Sequence, residues 1–87
     1  MKEVKYVITD PVGFHARPAG QIAKDLKAFA SAVTVFKGDK SADMKKLLKV
    51  MGLGIKQGNE ITVTIDGADE ADVAALLDSF LKENGLI

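Results

Sequence analysis

One imidazole stands in this chain, and its neighbours suit phosphate chemistry. His15 lies in the stretch VGFHARPAGQ, residues 12–21, with Gly13 two positions before it, Arg17 two after, and Pro18 next. The pattern places His15 at, or just before, the start of a helix. The first amides of a helix have no intrahelical acceptor, and the helix dipole puts partial positive charge there. That is a ready site for phosphate. An imidazole in the same field is held toward its neutral, nucleophilic form. Its nitrogen can attack a phosphoryl group, and the product's charge then falls beside the backbone amides of Ala16 and Arg17. The Arg17 guanidinium adds charge-assisted hydrogen bonds. Pro18 has no N–H to lose and fixes the first turn, while Gly13 allows a tight approach before the histidine.

A histidine at a helix start also fits a plain surface or capping role, so its position alone does not decide. Arg17 tips the balance: a cation in a first turn opposes the dipole, and an anionic ligand would resolve that misfit. The remaining candidates are contact residues. Lys24, Lys27, Lys45, Lys46 and Lys49 cluster on two helices, as a solvated face or as a basic rim for an acidic partner. Leu47, Leu48 and Met51 are apolar among these lysines, as core packing or as an exposed docking patch. Ser31, Ser41 and Ser79 have no base within readable sequence range, and none reads as a nucleophile.

These residues need elements to hold them. Residues 2–9 alternate, with Val4, Tyr6 and Ile8 on one face, and read as a strand. DPVGF follows as a loop. From Ala16 the period becomes helical, with Ala19, Ile22, Ala23, Leu26 and Phe29 on one stripe, fading near Ala30 and Ser31. Residues 32–37 form a β-branched strand, Gly38 and Asp39 a turn, and KSADM a short antiparallel return. KKLLKVMGLG, residues 45–54, reads as a short amphipathic helix broken by Gly52 and Gly54. Residues 60–66 alternate, with Ile61, Val63 and Ile65 inward. Asp69 reads as the N-cap of a last helix with an acidic first turn, Glu70 and Asp72. Its stripe is Val73, Ala74, Leu76, Leu77, Phe80 and Leu81, and Gly85 stops it. The expected fold is α+β: a four-stranded, mostly antiparallel sheet with three helices on one face, in the order βαββαβα.

Composition narrows the chemistry. At 87 residues and 47% apolar, the chain reads as one globular domain spanning 1–87. With no cysteine and one histidine, it has no disulfide, no thiolate nucleophile and no multi-histidine zinc site. No metal and no cofactor are expected. Twelve acids balance twelve bases. That gives no global pull toward nucleic acid or membrane, and no apolar run is long enough for membrane insertion. The first ten residues alternate charged and apolar positions, unlike a signal peptide, so the expected setting is cytoplasmic. The expected state is a monomer.

At GFHARPAG the chain resembles the HPr family, the histidine-containing phosphocarriers of the phosphoenolpyruvate-dependent sugar phosphotransferase system. The family signature (glycine, an apolar residue, histidine, alanine, arginine, proline, alanine) stands here as Gly13, Phe14, His15, Ala16, Arg17, Pro18 and Ala19. The likeness runs the whole length. MKKLLKVMGLGI (44–55) is similar to the family's second-helix segment, and GNEITVTIDGADEADVAALL (58–77) to its last strand and helix. The resemblance implies a transfer intermediate, not an enzyme that turns over alone. His15 would take a phosphoryl group on Nδ1 from enzyme I, which draws it from phosphoenolpyruvate, and would pass it to the IIA domain of a sugar permease. The implied fold is the open-faced β-sandwich. The implied docking surface joins the start of the first helix to the second helix, so Leu47, Leu48 and Met51 become its apolar centre and Lys24, Lys27, Lys45 and Lys49 its rim.

Two departures from the family pattern stand out. Lys46 occupies the position of a regulatory serine found in many relatives, so an ATP-dependent kinase would find no hydroxyl there. Gly20 stands where many relatives have a larger residue, leaving room beside His15 at some cost in helix propensity. The runner-up reading is an HPr-like regulatory or adaptor protein, phosphorylated at His15 but signalling to a non-transport partner. A third is an α+β binding domain with an anion site at its helix start.

Overall fold

The structure, a computed structural model, describes residues 1–14 and 16–87; His15 lies outside the described residues. The elements are β1 (Lys2–Val7), α1 (Ala16–Leu26), β2 (Ala32–Lys37), β3 (Lys40–Asp43), α2 (Leu47–Met51), β4 (Glu60–Asp66) and α3 (Glu70–Glu83). The strands form one antiparallel sheet in the order β1-β4-β2-β3. The sheet with its three helices is the expected open-faced α+β arrangement, in the expected order.

Alternation decides which face is covered. In β4, Ile61, Val63 and Ile65 are fully buried while Thr62 and Thr64 face the open side. Val4, Val63, Val35 and Ala42 stand in one row across all four strands, and Glu3, Thr64, Thr34 and Asp43 form the neighbouring row on the other face. A one-residue slip of any strand would exchange those faces. Above the apolar face, α1 contributes Ala19, Ile22, Ala23 and Leu26, and α3 contributes Val73, Ala74, Leu77, Phe80 and Leu81. Each fully buried Ile or Leu is worth about 1.5–3 kcal/mol. α3 lies over β1 and β4, α2 beside β3, and α1 between them. Tyr6 on β1 donates its hydroxyl to Asp78 Oδ1 on α3 at 3.3 Å. Burial and that carboxylate push the phenol above its ordinary value.

Three boundaries differ from the sequence reading, each because groups outside the element take its backbone. α1 stops at Leu26 rather than near Ala30. Lys27, Ala28 and Phe29 donate three residues back, to Lys24, Asp25 and Leu26. Beyond them the Ala30 and Ser31 amides donate to the Asp69 carboxylate at 2.9 and 3.0 Å, and the Phe29 carbonyl accepts the Lys45 ammonium at 2.8 Å. Asp69 does occupy the N-cap position of α3, but its side chain makes no cap bond there; it holds the start of β2 instead. α2 is five residues, not ten. Asp43 takes the Lys45 and Lys46 amides in a turn before it, and Gly52 caps it. Lys37 clamps the far side, donating to the carbonyls of Leu53 at 3.2 Å and Gly54 at 2.9 Å. Two lysines thus pin the flanks of a helix too short to stand on its own propensity. The first strand is also shorter than expected: it ends at Val7, and Ile8 continues inward by pairing with Asn59.

Candidate functional site

The segment leading to α1 is tightly built. Asp10 accepts the Val12 amide on its side chain at 2.8 Å and the Gly13 amide on its carbonyl at 2.9 Å. Gly13 has φ +80°, and a Cβ there would lie 2.5 Å from the Ile55 carbonyl oxygen and 2.8 Å from Lys56 Cα. Both the conformation and the space demand glycine. Phe14 then donates its amide to Ile55 at 3.1 Å and buries its ring. The chain entering α1 is therefore docked on the segment that follows α2.

His15 precedes Ala16 in sequence, and the expectation for its own placement lies outside the described residues. Ala16 and Arg17 are the first described residues of α1, both exposed, and the amides of a first turn have no intrahelical acceptor. Pro18 and Ala19 turn inward and are buried. No acid stands in the first turn, and among the described residues no carboxylate pairs with Arg17. Its charge, opposed to the dipole, is available to an anion.

The expected contact residues sort into different surroundings. Leu48 is 81% exposed and Met51 42%. Leu47 is half-buried and packs against the core, as does α2 generally through Val50. Gly20 faces α2: a Cβ there would meet Leu47 Cδ2 at 3.7 Å, an ordinary contact that leaves room for an alanine. Lys24, Lys27, Lys46 and Lys49 are exposed, whereas Lys45 is half-buried with its ammonium on Phe29. Lys45, Lys46 and Lys49 line a groove of about 550 Å³ with Ser41 and Asp43 at the β3 edge. Nine of the twelve cations lie between Arg17 and Lys56, and seven of the twelve acids between Glu60 and Glu83. The α1–α2 side of the helical layer is thus cationic and the α3 side acidic. Val12, 68% exposed on the loop before the site, is an apolar surface residue that the sequence reading did not single out. Neither were Gln21 and Asn84, which line a cavity of about 470 Å³ with Arg17 and Pro18. No local pattern marks Asn84, because α3 brings it there. Among the described residues no group of acidic or histidine side chains converges as a metal site would require, and no helix is long and apolar enough to cross a membrane.

An antiparallel open-faced sandwich with a Gly-x-His-x-Arg-Pro stretch leading into its first helix defines a class of phosphate-handling carrier. Comparison with known proteins agrees. The family model described as the PTS HPr component phosphorylation site matches residues 2–83. The phosphocarrier protein HPr of Lysinibacillus sphaericus is 42% identical over 86 residues, covering 99% of this chain and 98% of its own. That of Mycoplasma capricolum is 36% identical over 87 residues, covering 100% and 98%. The solved structure of a Mycoplasma histidine-containing phosphocarrier protein superposes with a TM-score of 0.96 at 35% identity, covering 99% of this chain and 98% of that one. This chain belongs to the HPr family of the phosphotransferase system. Its role is that of a phosphocarrier, an intermediate in phosphoryl transfer and not a catalyst that turns over alone.

Proposed function

We propose that this chain accepts a phosphoryl group on His15 from enzyme I and hands it to IIA domains of sugar permeases. The observation that carries the reading is Arg17, a cation with no carboxylate partner among the described residues, set in an acid-free first turn two residues after the chain's one histidine in sequence. The neutral imidazole attacks phosphorus through Nδ1; the bond from phosphorus to the donor breaks as the N–P bond forms. The charge of the phosphoryl oxygens falls beside the amides of Ala16 and Arg17 and the guanidinium, and groups fixed there before the reaction stabilise it. Transfer to the acceptor is the same step in reverse, with the acceptor's nucleophile attacking and His15 leaving as neutral imidazole.

The proposed docking face joins the start of α1 to α2. Leu48 and Met51 form its apolar centre, with Leu47 at the edge of the core. Lys24, Lys27 and Lys49 form its rim, and Lys45 acts there through its hold on Phe29. A basic rim speeds encounter with an acidic partner, and the apolar centre sets how long the pair lasts. The carrier works as a single-domain monomer over 1–87 in the cytoplasm.

Incubation with phosphoenolpyruvate and enzyme I, followed by mass measurement, tests the reading. One added phosphoryl group that is lost in acid is expected. His15→Ala should take none, and Arg17→Ala should transfer at least about tenfold more slowly while keeping its stability. Stoichiometric labelling of His15→Ala would reject the assignment. Phosphorylation of His15 without onward passage to any IIA domain would favour the adaptor reading.

A further inference from the structure

The cavity beside α1 joins two helix ends of opposite polarity. Arg17, Pro18 and Gln21 come from the start of α1, and Asn84 is the C-cap of α3. The carbonyl end of α3 supplies partial negative charge to a site where Arg17 otherwise faces only the positive end of its own helix. The Asn84 side chain is anchored, its Nδ2 donating to the Phe80 carbonyl at 2.9 Å. Gln21 likewise commits Nε2 to Asp25 Oδ1 at 3.3 Å. Each amide is left with its oxygen as the group still able to accept. A guanidinium has five donors and no acceptor, so such oxygens are what it can use.

We infer that Asn84 is a positioning residue for Arg17: with Gln21 it forms a neutral berth that orients the guanidinium without cancelling its charge. The inference rests on the carrier reading of Arg17. An uncharged wall offers the side chain amide oxygens and no carboxylate, so an arriving phosphoryl group meets an unpaired cation. A carboxylate at the same place would bind the guanidinium as a charge-assisted pair and compete with the phosphoryl group for it.

Asn84→Asp and Asn84→Ala separate these effects, because both lose the bond to Phe80 and only one adds charge. With phosphoenolpyruvate and enzyme I at low salt, Asn84→Asp should transfer about fivefold more slowly than Asn84→Ala, the size expected of one exposed ion pair. The gap should close as salt is raised. It should also vanish in an Arg17→Ala background, and the Arg17 Nε–H resonance should move in Asn84→Asp before any phosphorylation. Equal rates for the two variants, a gap that persists without Arg17, or an unmoved Arg17 resonance would each overturn the role of Asn84. If Arg17→Ala itself transfers at the wild-type rate, the carrier reading of Arg17 falls, and this inference with it.

Discussion

The Asp69 carboxylate accepts the Ser31 amide at 3.0 Å across 38 residues of sequence, and the Ser31 hydroxyl donates to the same oxygen. Ser31 is fully buried, and the adjacent Ala30 amide reaches the other Asp69 oxygen at 2.9 Å. One side chain thus fixes where the turn after α1 ends, where β2 begins and where α3 starts.

This bond makes stability depend on acid. The Ser31 hydroxyl above all, then the Ala30 and Ser31 amides, hold Asp69 below the usual carboxylate range. A depressed folded value means that the unfolded chain binds the proton more readily. The contribution is therefore full above the ordinary carboxylate value, about 4, and is lost as pH falls through the lower folded value. Asp78, lowered mainly by its bond with Lys82, adds to the same limb. Urea midpoints measured from pH 7 down to pH 2.5 should fall on the acid side. Asp69→Asn should be less stable at neutral pH and lose less on acidification; an unchanged acid limb would reject the role given to Asp69.

Gly13→Ala should destabilise by about 2 kcal/mol or more, since it combines a positive φ with a Cβ at 2.5 Å from the Ile55 carbonyl oxygen. Faster hydrogen exchange at the Phe14 amide would show that the approach to α1 has come off the segment after α2. Wild-type stability in this variant would mean that the loop relaxes freely.

Leu48 and Leu47 are neighbours with different duties. Truncating Leu48, which is 81% exposed, should change stability by no more than about 0.5 kcal/mol. It should weaken binding to enzyme I by about fivefold or more. Leu47→Ala, half-buried against the core and Gly20, should cost about 1–2 kcal/mol of stability. Denaturation and titration calorimetry on both variants check the division, and a binding defect confined to Leu47→Ala would remove Leu48 from the docking face.

Lys46 stands at the N-cap of α2 in extended conformation, φ −117° and ψ 103°, with no side-chain cap bond. It has no hydroxyl to phosphorylate, so incubation with an HPr kinase and ATP should add no acid-stable phosphate. The backbone is already shaped for a capping hydroxyl. Lys46→Ser should therefore raise stability by about 0.5–1 kcal/mol, read as an upward shift in the thermal midpoint. A lower midpoint would show that the lysine stem packs more usefully than a serine caps.

What the sequence made legible follows from how local each signal is. β2 and β4 fall on their expected residues, because alternation with one covered face leaves a single register. The fold class followed from element order, and the histidine stretch from residues adjacent in the chain. The end of α1 did not follow, because its helical stripe runs on through Phe29 while Asp69 and Lys45 take the backbone groups there. Asp69 takes its expected N-cap position, but its carboxylate serves a distant pair of amides instead of the first turn of α3, and no local pattern marks that partner. Asn84 carries no local mark at all; it reaches the Arg17 cavity only because α3 ends beside the start of α1.

The strand order has a consequence for biosynthesis. β4, residues 60–66, lies between β1 and β2, and β1 has no other neighbour in the sheet. A nascent chain therefore leaves the ribosome with β1, α1 and the β2–β3 hairpin already made and nothing to join them. Their apolar faces stay uncovered until β4 emerges, and pairings this distant in sequence form slowly. The sheet cannot close before β4 is available, and until then the chain is most open to aggregation and to chaperones.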